Sequence, residues 1–543
     1  MPKMKYLLLF HLFAFCLTTG PSLSAEPPKL VVGIVVDQLR YDYLERFGDQ
    51  FTTNGFRLLM DKGAFMTSAR YDYVPTVTAP GHATYLSGTP PSVHGIIGND
   101  WFDRQKRKTV VAVDDANYVG VGSVSTNVHI SPHNFIGDNF ADEMRLRYGS
   151  KVVGVSVKAR AAVLPAGKKP AGVYWFEEKS GRFITSTYYM PELPAWMKAF
   201  NDQKLVENYR GTNWTRLLPP DAYHYPDERV GEGRLLGETN SVFPHTINYT
   251  EDKGYEAILR TPFGNQLVAD LARAAIEGEH LGEGENPDLL CVSFSSLDAC
   301  GHEFGPYSQE TQDLTLRLDR TLNEFFNYLD ARIGLEHVQI VLTSDHGVAP
   351  LPEFAQEQGL GGKRVDEGKL MKDLKKKLST RFGSSKLLLT SSFHYGHLYY
   401  DPDALKRLRI TADQVSDFIR EWAYSTGDFQ AVFTRRQLLN GTAEGFIGSM
   451  VARGYNAERS GDIVLIMKPF MISSTGKTGT THGSPYSYDA HVPVIFYGSS
   501  FKPGRYADEF HITDIVSMLC AALKLEPPSG NIGKPVLEAL TGN

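Results

Sequence analysis

The sequence predicts an α/β fold: a mostly parallel central sheet with helices on both faces, carrying inserted cap segments. Two observations predict it. Short apolar runs rich in β-branched residues recur along the chain, and amphipathic stretches with helical spacing separate several of them. Uniformly apolar strands are those buried on both faces, as in parallel sheets. Strands alternating with helices favour one sheet covered on both sides.

The strand candidates are Leu30–Val36, Val152–Val157, Leu289–Phe294, Val338–Thr343 and Val492–Tyr497. The clearest helix candidates are Gln266–Glu277 and Glu310–Leu329. Two stretches break the rhythm. Residues 165–255 are rich in aromatics and prolines, and residues 352–475 carry their own mixture of helix and strand signals. Both read as insertions into one α/β domain spanning residues 26–543, with no linker marking an independent domain.

The chain has 543 residues, 42% of them hydrophobic, which is enough for a large core. Its first 25 residues read as a secretion signal: Lys3 and Lys5, an apolar run from Leu7 to Leu17, and a small-residue cleavage site at Leu23-Ser24-Ala25. That run is too short to span a bilayer. No later stretch reads as a membrane anchor, and a periplasmic destination follows if the source is bacterial. The net charge of −6 excludes a globally basic nucleic-acid-binding surface. The basic run Lys375-Lys376-Lys377 fits a solvated helix face. The mature chain retains only Cys291, Cys300 and Cys520, too few for a disulfide framework. Nothing in the sequence specifies an oligomeric state.

Metal-type ligands follow the strand candidates. Asp37 succeeds the first, Asp298 with His302 the third, and Asp345-His346 the fourth. His482 lies in a Gly/Thr-rich loop before the last. Sites in open α/β sheets form beyond the carboxyl ends of the strands, so these side chains can converge across some 450 residues of chain. Singly, each has a structural use: a turn or cap for the aspartates, a loop position for His482. Jointly, three Asp and three His point to metal. Mixed nitrogen and oxygen donors without cysteine suit zinc, with manganese or cobalt as alternatives.

A nucleophile candidate sits in Val74-Pro75-Thr76-Val77-Thr78-Ala79-Pro80-Gly81-His82. Thr78 precedes a proline at the start of a helix-compatible run, and its structural use would be an N-cap. A hydroxyl there also feels the positive end of the helix, a setting that attracts phosphate. Thr76 is a close competitor that residue reasoning barely separates from Thr78. Lys158 and Arg160 follow the second strand candidate and would share a face if that strand continued. Two zinc ions, three aspartates and these two cations would suit a phosphate monoester dianion better than a diester monoanion.

In combination these motifs resemble the alkaline phosphatase superfamily, most closely the phosphate-irrepressible alkaline phosphatases of Bacteroidetes. The resemblance spans nearly all of the mature chain. It rests on Thr78-Ala79-Pro80-Gly81-His82, Gly98-Asn99-Asp100, Lys158-Ala159-Arg160, Asp298 with His302, Asp345-His346-Gly347 and Thr481-His482-Gly483. It implies a zinc-dependent phosphomonoesterase acting on small phosphate monoesters through a phosphothreonine intermediate. One zinc would be held by Asp298, His302 and His482, the second by Asp37, Asp345, His346 and the Thr78 oxygen. Asn99, Lys158 and Arg160 would contact the phosphoryl oxygens. The resemblance favours Thr78 over Thr76.

The chain departs from the better-known bacterial alkaline phosphatases in using Thr rather than Ser. It also shows no clear residue set for their third, magnesium site. It lacks the Cys-x-Pro-x-Arg sequence of sulfatases, while the Lys158/Arg160 pair separates it from the nucleotide pyrophosphatase/phosphodiesterases. A phosphodiesterase or phosphonate hydrolase on the same scaffold is the alternative reading, and a non-catalytic zinc- or phosphate-binding protein a more distant one. Gly476-Lys477-Thr478 echoes a P-loop, but Met471 stands where the motif needs glycine. Gly120 and Gly122 begin a dinucleotide-binding pattern that does not continue. Asn213, Asn248 and Asn440 fit glycosylation sequons.

Overall fold

A computed structural model describes residues 27–541. The secretion signal expected at residues 1–25 lies outside them. The core is a ten-stranded sheet. Its five central strands run parallel, in the order Val338–Thr343, Leu30–Val36, Asp288–Phe294, Val152–Ser156 and Gly172–Glu177. Every residue of these five strands is buried. Side chains alternate between two hydrophobic cores: Val31 and Val35 enter one, Leu30, Val32, Ile34 and Val36 the other. That alternation follows from the two-residue period of a strand. Helices cover the sheet, among them Pro262–Glu279 and Gln309–Arg332, which extend the predicted amphipathic segments at both ends.

The edges are mixed. The predicted last strand starts at Val494 and runs antiparallel to Val338–Thr343. The stretch read as the first insertion contributes Gly172–Glu177 and Arg182–Ser186 to the main sheet. Its aromatic residues hid them: Trp175, Phe176 and Phe183 pack into the main cores as strand side chains. The second stretch, 352–475, builds its own three-stranded sheet from His397–Leu398, Ile463–Met467 and Phe429–Thr434. The helices Glu367–Phe382 and Ala412–Thr426 pack on it around Leu374, Leu378, Ile419 and Trp422. Cys291, Cys300 and Cys520 are buried free thiols.

The short helix Thr78–Tyr85 is buried throughout and lies against the chain that follows Val338–Thr343. Gly81 permits this contact. A Cβ there would stand 2.5 Å from the carbonyl oxygen of Asp345 and 2.7 Å from its Cβ. Both partners are short and tethered, so neither can yield as a flexible side chain would. Gly81→Ala is therefore expected to destabilise the fold by about 1–3 kcal/mol. A denaturation midpoint equal to that of the parent would contradict the close packing described here.

Candidate functional site

Four neighbouring parallel strands end at one place. In sheet order their carboxyl ends lead to Asp345, Asp37, Asp298 and Lys158. Asp37 follows its strand directly. Asp298 lies instead in the first turn of the helix Ser296–Phe304, and His302 sits one turn further along that helix. Residues four apart share a helix face, and His302 Nε2 lies 3.2 Å from Asp298 Oδ1. The irregular loop before the last strand brings His482 Nε2 to 3.6 Å from the same oxygen. Beside this trio, His346 Nε2 is 3.5 Å from Asp37 Oδ1 and 3.4 Å from Asp345 Oδ2. Potential ligand atoms cluster in two groups, Asp298/His302/His482 and Asp37/Asp298/His346, with Asp345 adjoining the second.

All three imidazoles are tethered in the same way. The Nδ1 of His302 donates to Thr480 O at 2.8 Å, that of His346 to Gly347 O at 2.9 Å, and that of His482 to Thr76 O at 2.8 Å. A proton on Nδ1 leaves Nε2 as a lone pair, and in each case Nε2 faces the carboxylates. This second hydrogen bond is how proteins orient metal-binding histidines. The His346 and His482 rings are stacked with centroids 3.4 Å apart. Burial, with His346 and His302 alongside, drives the His482 imidazole well below its ordinary pKa and keeps it neutral.

The three aspartates are buried. Burial, then the adjacent Asp298 and Asp345, pushes the Asp37 carboxyl well above the ordinary range. Burial acts the same way on Asp298, but Lys158 and His302 outweigh it and hold that carboxyl low. At Asp345, too, burial is outweighed, there by His346 and His82, and the pKa falls. Lys158 Nζ bridges the first pair, 2.6 Å from Asp37 Oδ2 and 2.5 Å from Asp298 Oδ2. Asp37 Oδ1 and Asp345 Oδ2 remain buried with no hydrogen-bond donor. Orphaned carboxylate oxygens facing unprotonated imidazole nitrogens are a donor set that fits divalent metal.

Thr78 is the first residue of its helix, with Val77 rather than Thr78 in the capping position. Its Oγ1 lies 3.5 Å from His346 Nε2. Thr76, the competing hydroxyl, instead donates to Ser484 O at 2.9 Å. Asn99 Oδ1 accepts from Ala79 N–H at 2.8 Å, and its amide nitrogen faces the Tyr395 phenol.

Lys158 and Arg160 are not on a continuing strand. The strand stops at Ser156, Lys158 caps the helix Ala159–Val163, and Arg160 lies in its first turn. The change of conformation ends the strand alternation, and Lys158 reaches the carboxylates. Arg160 Nε is buried with no acceptor.

Three supporting residues were not anticipated. Gln38 adopts φ 68°, donates its N–H to Asp345 Oδ1 at 3.1 Å and reaches Asp298 Oδ1 with Nε2 at 2.6 Å. His82 Nδ1 donates to Thr78 O at 2.9 Å and lies 3.3 Å from Asp345 Oδ2. Its Nε2 meets the Ser293 hydroxyl at 2.9 Å. The sequence signals were adjacency to Asp37 for Gln38 and, for His82, its place four residues after Thr78 in the Thr78-Ala79-Pro80-Gly81-His82 motif.

Residues 31–487 match the type I phosphodiesterase / nucleotide pyrophosphatase family. The chain is 38% identical to alkaline phosphatase PafA of Elizabethkingia meningoseptica over 94% of each protein. It is 36% identical to alkaline phosphatase PhoV of Synechococcus elongatus, covering 94% of this chain and 93% of that one. A Myroides odoratus protein named calcium-transporting ATPase is 38% identical over 97% of each. No helix among the described residues is long and apolar enough to cross a membrane. The crystal structure of PafA superposes with a TM-score of 0.90, covering 95% of this chain and 99% of that one. The chain belongs to the type I phosphodiesterase / nucleotide pyrophosphatase family, within the group that includes the alkaline phosphatases PafA and PhoV.

Proposed function

We propose that this protein is a zinc-dependent phosphate monoester hydrolase that uses Thr78 as its nucleophile. One observation carries the reading. Three imidazoles, each tied through Nδ1 to a main-chain carbonyl, turn Nε2 toward three buried carboxylates next to the Thr78 hydroxyl. The likeness to PafA and PhoV, both named alkaline phosphatases, supports it.

Asp298, His302 and His482 would hold one zinc ion; Asp37, Asp345, His346 and the Thr78 oxygen would hold a second. When bound, zinc supplies Lewis acidity, which makes a neighbouring hydroxyl more acidic and offsets charge on a departing oxygen. The chain's own residues do the rest. Asn99, through its amide nitrogen, and the guanidinium of Arg160 bind phosphoryl oxygens, and Lys158 adds positive charge beside them. Thr78 Oγ1 forms a bond to phosphorus as the bond to the leaving alcohol breaks, and the proton lost from Oγ1 ends on that alcohol. Water then hydrolyses the phosphothreonine, releasing inorganic phosphate and restoring the hydroxyl. The helix beginning at Thr78 presents its positive end to the phosphoryl group throughout.

The family description favours one competing reading, a phosphodiesterase. Lys158 and Arg160 oppose it, because two cations beside the site suit a dianionic monoester better than a monoanionic diester. The chain is further inferred to be exported on residues 1–25, from the Lys3/Lys5 and Leu7–Leu17 pattern.

Turnover of p-nitrophenyl phosphate and its bis-ester tests the assignment, and the monoester is expected to be strongly preferred. Thr78→Ala is expected to lower monoester turnover by about 10³-fold or more. Turnover near that of the parent would exclude Thr78 as nucleophile. Replacing both Lys158 and Arg160 by Ala is expected to cost monoester kcat/KM about 100-fold or more, with the diester changed by about tenfold or less. Equal losses on the two substrates would overturn the charge argument.

A further inference from the structure

A cavity of about 410 Å³ opens between the 352–475 segment and the loop that carries His482. His482 lines one side of it. Across from His482, the turn His394–Tyr395–Gly396 rests on the chain at Gly98–Asp100. His394 Nδ1 and Asp100 Oδ1 are 3.2 Å apart. The Tyr395 ring packs so closely that a Cβ on Gly98 would meet it at 2.7 Å. Tyr395 itself takes the left-handed conformation at φ 50°. The turn thus stands directly beside Asn99, and the cavity reaches from there to a candidate metal ligand.

The lining has two properties. Its outer wall is apolar, built from Phe393, Phe429, Leu465, Met467, Met471 and Ile472. Its carboxyl groups are Asp100, Glu367 and Asp489, beside the imidazoles of His394, His397 and His482, with no lysine or arginine among the lining residues. Asp489 is buried, and its Oδ1 has no hydrogen-bond donor. Three carboxyl groups without a lysine or arginine make the cavity unfavourable for an anion. It accepts a flat apolar group, whose burial is favourable in proportion to its area.

We propose that this cavity receives the leaving group, and that it selects phosphate monoesters of apolar, ring-bearing alcohols without negative charge. The proposal rests on the phosphatase reading above. It gives the inserted segment a role in specificity distinct from the capture of the phosphoryl group. Glu367 and Met471 line the cavity and are not among the residues assigned to that capture.

The test compares kcat/KM for phenyl, 2-naphthyl and 4-carboxyphenyl phosphates in the zinc-supplemented enzyme. The second ring is expected to raise kcat/KM about tenfold over phenyl phosphate, and the carboxylate to lower it about tenfold. Met471→Trp, which fills the cavity, is expected to erase the naphthyl advantage while phenyl phosphate stays within about twofold. Glu367→Lys is expected to remove most of the penalty on the carboxylate ester. Either variant reads the proposal if the other fails to fold. Equal kcat/KM for phenyl and naphthyl esters in the parent, or variants that change all three esters alike, would overturn the leaving-group assignment. That result would leave the phosphatase reading intact, whereas failure to hydrolyse phenyl phosphate at all would overturn both.

Discussion

Three carboxylates buried within a few ångströms of one another are the constraint from which the site follows. Burying even one unpaired carboxylate is costly, and neighbouring like charges add to the cost. Here Lys158 is the cation that bridges Asp37 and Asp298, and two carboxylate oxygens are left without a donor. Such an arrangement persists where the rest of the structure over-determines it. The sheet does so by placing the four contributing strands side by side, with neighbours about 4.8 Å apart. Gln38 then holds Asp345 and Asp298 in position, His82 stands beside Asp345, and main-chain carbonyls hold the three imidazoles.

The same packing sets the position of Thr78. Its helix can lie on the chain at Asp345 because position 81 is glycine, and this brings the first-turn hydroxyl to His346. The Ala79 N–H fixes the Asn99 side chain by its oxygen, and its nitrogen faces the Tyr395 phenol. Lys158 and Arg160 come from a separate element, the start of the Ala159–Val163 helix. Thr78 and the two cations therefore sit on different elements of the scaffold, joined through the carboxylates that Lys158 bridges.

The parts of this arrangement legible in the sequence were those with a strong local cause. Leu30–Val36 and Val338–Thr343 stand where their apolar runs predicted, because strands buried on both faces must be apolar throughout. The residues that follow them, Asp37 and Asp345-His346, were conspicuous because acid and imidazole have little use directly after such runs. Less local features were hidden. The end of the strand at Ser156 puts Lys158 and Arg160 at a helix start, which no pattern of alternation could show. Gln38 owes its role to a left-handed backbone, an unusual state for glutamine. The strands Gly172–Glu177 and Arg182–Ser186 were masked by aromatic residues that also suit a cap. The contact between Tyr395 and Gly98 joins segments some 300 residues apart and depends wholly on tertiary packing.

If crowded carboxylates and tethered imidazoles are the organising feature, bound metal must be part of the native protein. The most direct measurement is the metal content of the purified, dialysed chain by elemental analysis, paired with its thermal unfolding before and after chelation. The account predicts two zinc equivalents per chain, a lower unfolding temperature once they are removed, and recovery when zinc is returned. A chain that holds no stoichiometric metal, and unfolds at the same temperature with and without chelator, would contradict it.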